Sequence, residues 1–69
     1  MAGKYDYLII IQQHWGQGWE DVDSYEADSS FYLKPDERAA FKENLRLYRT
    51  EQSVPVRVIH RRELKNIMQ

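Results

Sequence analysis

One stretch keeps a helical period for several turns, and the rest of the chain has to be arranged around it: Pro35 to Gln52, PDERAAFKENLRLYRTEQ. Phe41, Leu45 and Tyr48 stand at i, i+4 and i+7, and Ala40 and Leu47 widen the same side into a core-facing band. Pro35 suits a first turn, where its missing N–H costs nothing. Asp36 and Glu37 complement the positive helix end, and Arg46 and Arg49 the negative one. Ser53, Val54 and Pro55 stop the helix, because a residue before proline is driven out of the α region. Asn44 interrupts the apolar band, which predicts a structural hydrogen bonder holding a strand edge or loop.

The flanking segments read as strands. Lys4 to His14 alternates Tyr5, Tyr7, Ile9 and Ile11 on one face with Asp6, Leu8, Ile10 and Gln12 on the other. Both faces are apolar at the centre, as in a central strand. Trp15-Gly16-Gln17-Gly18 supplies two residues that accept positive φ, so Trp19 to Asp23 can return as a second, more polar strand. Val54 to Arg62 forms the third, with Val54, Val56 and Val58 on one face and Arg57, Ile59 and Arg61 on the other. Pro55 near its start suits a sheet edge.

Ser24 to Lys34 has no clean period and is expected as a surface connection, with Phe31, Tyr32 or Leu33 tucked beneath the helix start. Its turn-prone Asp28, Ser29 and Ser30 make it the expected flexible segment, either a partner contact or a tolerated insertion. The tail, Glu63 to Gln69, can add one helical turn that lays Leu64, Ile67 and Met68 over apolar surface.

Connection rules then give an α+β fold: a single ββαβ domain over residues 1–69, with a three-stranded antiparallel sheet of order 2-1-3 and one helix packed on one face. One helix cannot cover both faces. The second, carrying some of Tyr5, Tyr7, Ile9 and Ile11 or their neighbours, needs cover from the tail, a second copy or a partner.

A chain of 69 residues buries a modest core, so self-association to a homodimer is a live expectation. With no cysteine there is no disulfide framework and no thiolate metal site, which fits a reducing cytosol. After Tyr7 the apolar run LIII is too short for a signal peptide or a membrane span, so a cytoplasmic protein with no membrane partner is expected. Residues 1–30 carry one lysine against six acids, and residues 31–69 nine Lys/Arg against five acids. The chain is dipolar at a net charge of -1, which argues against a mimic of DNA.

No catalytic signature stands out, and no cofactor is implied. His14 and His60 fall at opposite ends of the proposed sheet, too far apart for a shared metal or acid–base site. Asp21 and Asp23 lie two apart and could share a cation, but no third ligand is identifiable, and a solvated acidic edge is the better reading. There is no cysteine nucleophile and no serine in a recognisable elbow.

Arg38, Lys42, Arg46 and Arg49 make a basic stripe along one flank of the helix, and Arg57, Arg61, Arg62 and Lys65 a second cluster. With aromatic residues nearby, these suggest a nucleic-acid surface. Internal pairing is the rival and is preferred, with Glu20, Asp21 and Asp23 facing the helix stripe and Asp6 across from Arg61. Trp15 and Trp19, flanking a turn, are either a satellite core or exposed anchors.

GQGWEDV (Gly16 to Val22), LRLYRTEQ (Leu45 to Gln52) and RVIHRRE (Arg57 to Glu63), in this order, resemble a group of very short proteins of tailed phages and prophages. This chain departs from them in its longer Tyr25 to Lys34 connection and in its tail after Glu63. The resemblance implies an accessory phage protein acting in the bacterial cytoplasm on a host factor, and it brings no established activity. The expectation is a non-enzymatic binder of a host or phage protein, with Tyr5, Tyr7, Trp15 and Trp19 as apolar anchors and Arg57, Arg61 and Arg62 as polar contacts. The alternative is a nucleic-acid binder using Arg38, Lys42, Arg46 and Arg49.

Overall fold

The computed structural model describes residues 4–51 and 53–64. Four elements follow in the expected order: β1 (Tyr5–His14), β2 (Trp19–Ala27), α1 (Pro35–Glu51) and β3 (Val56–Leu64). The sheet is antiparallel throughout, in the order β2-β1-β3. β1 takes the centre because it is the one strand apolar on both faces: Ile9, Ile10 and Ile11 are 4%, 1% and 0% exposed. Each such burial contributes about 1.5–3 kcal/mol. The β1–β2 turn needs positive φ at Gly16 (100°) and Gly18 (130°), a conformation that side chains resist.

The register assigns the faces. Ile9 pairs with Tyr25 on one side and His60 on the other, and Tyr25 packs edge-on against Phe41 of the helix at 5.5 Å. Tyr5, Tyr7, Ile9, Ile11 and Gln13 therefore look toward α1, and Leu8, Ile10 and Gln12 look away from it. Between Ile11 and Gln12 the β1–β2 ladder shifts: Ile11 pairs with Asp23, Gln12 with Asp21, and Val22 bulges between them.

The helix docks lightly. None of its residues is buried, and Ala40, expected in the core-facing band, is exposed. Phe41, Leu45, Leu47 and Tyr48 are half-buried, and hydrogen bonds add to their hold. Asn44 Nδ2 donates to the Tyr25 hydroxyl at 2.7 Å, Tyr25 donates to Asp23 Oδ2 at 2.7 Å, and Tyr48 donates to the Val22 carbonyl at 3.4 Å. Asn44 is thus the structural hydrogen bonder expected of it. Burial first, and the Asp23 carboxylate with it, push the Tyr25 hydroxyl up to about 12, against a bond from Asn44 that lowers it.

Three boundaries differ from expectation. β2 runs on to Ala27 rather than ending at Asp23, because Tyr25 closes over Ile9 and carries its neighbours into the ladder. β3 starts at Val56 instead of Val54 and continues to Leu64, so Leu64 is an exposed strand residue and not part of a terminal helical turn. The connection is shorter and tighter than a flexible surface loop. Asp28 Oδ1 accepts from the backbone N–H groups of Ser30 and Tyr32, the Asp28 N–H donates to the Tyr32 carbonyl, and Leu33 bridges back to Ala27. Phe31 sits at φ 62°, rare for a bulky residue. Its ring stacks on His60 at 4.7 Å and meets Tyr7 edge-on at 5.3 Å, so Phe31 is the anchor, while Tyr32 is exposed. Ile67 and Met68, Lys65 and the helix end at Gln52 lie outside the described residues.

Candidate binding face

The sheet face turned away from α1 carries a connected set of side chains. At its centre is Gln12, 5% exposed, whose Oε1 accepts from Arg57 Nε at 2.7 Å and whose Nε2 donates to Asp21 Oδ1 at 2.7 Å. Arg61 closes on Asp21 as a fork, Nη1 to Oδ2 at 2.7 Å and Nη2 to Oδ1 at 3.3 Å, and stands 3.9 Å from Glu63. The Arg57 guanidinium lies 4.2 Å over the ring of Trp19, which packs edge-on against His14 at 5.2 Å. Trp15, in the β1–β2 turn, is 53% exposed.

This lattice explains a burial that the topology alone does not. Arg61 stands level with Leu8 on one side of β1, and Asp21 level with Gln12 on the other. Their contact crosses β1 at Ile10, which is 1% exposed although α1 lies against the other face. The hydrogen bond from Arg61, then that from Gln12, holds the Asp21 carboxyl below its usual 3.8, and the same Asp21 contact raises Arg61 further.

The expected anchors divide between two faces. Trp19, Arg57 and Arg61 gather on the face turned away from α1, whereas Trp15 sits exposed in the β1–β2 turn. Tyr5, Tyr7 and Arg62 lie on the other side, where Arg62 covers the Tyr5 ring at 4.2 Å and Tyr7 meets Tyr5 and Phe31 edge-on. Sequence reasoning missed Gln12, Asp21 and His14 as members of the first group. The signal available was a glutamine at the point where the apolar run of β1 gives way.

Internal pairing is also different from that expected. Asp6 stands opposite Glu63, and the partner of Arg61 is Asp21, because the bulge turns Asp21 away from the helix. Asp21 and Asp23 therefore occupy opposite faces and cannot share a cation. Among the described residues no group of three His, Asp or Glu could hold a metal ion. His14 and His60 are on opposite faces too.

On the helix flank Arg38, Lys42, Arg46 and Arg49 are all exposed. Arg46 pairs with Glu43 at 2.7 Å and Arg38 donates to the Leu33 carbonyl at 3.3 Å. The four cations share Pro35–Glu51 with Asp36, Glu37, Glu43 and Glu51, so the helix is electrically balanced. No protein-family model, curated protein or solved structure matches the chain. No helix among the described residues is long and apolar enough to cross a membrane.

Proposed function

We propose that the protein is a non-enzymatic binding module whose sheet face turned away from α1 docks on a host or phage protein, as an accessory protein of the phage type in the bacterial cytoplasm. The observation that supports this reading is the pairing of Arg57 with Trp19 on the sheet face turned away from α1. Tryptophan and arginine are the side chains that dominate protein interfaces, and here a preformed lattice holds one of each in place, which lowers the entropy lost on docking. Arg57 and Arg61 are already engaged by Gln12, Trp19 and Asp21, so the face offers a mixed surface rather than unpaired cations for phosphates. Tyr5, Tyr7 and Arg62, on the opposite side, leave the proposed contact set.

The test is capture of partners from bacterial lysate on the tagged protein, with and without nuclease, beside a Trp19→Ala variant checked for folding by circular dichroism. One protein recovered stoichiometrically despite nuclease, and lost by the folded variant, supports the reading. Recovery that vanishes with nuclease transfers the function to nucleic acid and to the flank of Arg38, Lys42, Arg46 and Arg49.

A further inference from the structure

The two edges of the sheet are finished differently. β2 carries a bulge, its last residue is bridged by Leu33, and the Tyr48 hydroxyl reaches the Val22 carbonyl. β3 has none of this. It pairs with β1 in unbroken register from Val56 to Leu64 and contains no proline, and among the described residues no other strand lies against it. A straight edge strand of nine residues leaves a row of backbone donors and acceptors open to another strand.

We infer that this edge pairs with the same edge of a second copy of the chain, antiparallel about a two-fold axis at His60, to make one continuous sheet of twice the width. Charge and parity select this register. A two-fold axis normal to the sheet sets residues of one face against residues of the same face, so the axis must pass through a residue. Centred on Ile59, it opposes Arg57 to Arg61, two like charges. Centred on Arg61, it opposes Glu63 to Ile59 and His60 to Arg62. Centred on His60, it opposes Arg57 to Glu63 twice over and the exposed Leu64 to Val56 on the helix side.

The other cations are accommodated in that register. Arg61 falls opposite Ile59 and Arg62 opposite Val58, and each guanidinium is already drawn back onto its own chain, by Asp21 and by the Tyr5 ring. Their aliphatic stems are what the second copy meets. The pairing leaves the Trp19 ring of both copies uncovered, draws on Arg57 only through the guanidinium nitrogens that Gln12 does not take, and does not depend on the partner proposed above.

The chain has no cysteine, which makes the register directly readable. Single variants Val58→Cys, His60→Cys and Arg62→Cys, all on one face of β3, are oxidised mildly and compared for disulfide-linked dimer, beside light scattering of the unmodified chain over a concentration series. Expected are a mass that rises to twice the monomer's and a covalent dimer that forms fastest for His60→Cys, where the two α-carbons are within disulfide reach. Glu63→Arg should weaken association roughly tenfold, since it acts twice across the axis, and Arg57→Glu in the same chain should restore it. A chain that stays monomeric to its solubility limit, fastest linkage at position 58 or 62, or a charge swap without rescue in a folded protein each overturns the inference.

Discussion

The two faces of this sheet bury the same kind of residue by different means. On the helix side Ile11 is buried between Asp23 and Val58 of the neighbouring strands, and the helix is pinned to β2 through Asn44, Tyr25 and Asp23. On the other side Ile10 is just as deeply buried, yet its roof is a salt-bridged arginine that reaches across the strand. A small domain with one helix to spend can seal its second face with long amphipathic side chains, and the roof so made remains a polar surface.

Truncating the two isoleucines is the harshest way to break the comparison. Ile11→Ala should cost about 4 kcal/mol and Ile10→Ala about 3 kcal/mol, because the flexible Arg61 stem can settle into the space left beside Ile10, while Ile11 stands between Asp23 and Val58, whose short side chains cannot follow. Urea unfolding of both variants measures the difference, and equal losses would deny the roof any give.

Tyr25→Phe isolates the pin. It leaves Asn44 and Asp23 only their own long contact of 3.5 Å and should cost about 1–2 kcal/mol. The pH dependence sharpens it. The hydroxyl is raised to about 12 from 10.0, so the folded state favours the protonated form. Its contribution is complete below about pH 10 and is lost as pH rises through the folded value. Thermal melts from pH 9 to 12 should show this slope in the native chain and lose it in Tyr25→Phe.

The roof itself comes next. Arg61→Ala should lower the urea midpoint more than Arg61→Met does, since the stem and not the charge covers Ile10; the reverse order would make the ion pair the seal. Asp21 gives the smaller acid-side effect. Its carboxyl is depressed below 3.8, so the stability it adds is present above that value and fades as pH falls through the folded one. Asp21→Asn should flatten acid unfolding in that window. The exposed Arg46–Glu43 pair should be the least of all, with Glu43→Gln leaving the melting temperature unchanged within error.

The helix, the central strand and the order 2-1-3 were legible because each is written in periodicity: Phe41, Leu45 and Tyr48 for one, and the two-faced apolar run of β1 for the others. The far half of β2 was not. Ser24, Glu26 and Ala27 carry no strand signal, and only the long-range closure of Tyr25 on Ile9 and Phe41 draws them into the ladder. Phe31 defeats local reading for a related reason, since its backbone takes a conformation that phenylalanine avoids and that the Asp28 turn and the His60 ring impose. Of the candidate face, the arginines and Trp19 were visible as types. Their union through Gln12 was not, because it depends on one extra residue in β2.

That extra residue says which length variants of this chain can keep its fold. In an unbroken strand Asp21 and Asp23 would point the same way, and Val22 is what sends them apart. A chain lacking Val22 would still set Ile11 against Asp23 and Gln12 against Asp21, with a straighter strand and no carbonyl for Tyr48. A deletion elsewhere in β2 could be absorbed only by turning over the residues between it and the bulge. The strand thus has one position where the sequence can shorten without exchanging its inside for its outside.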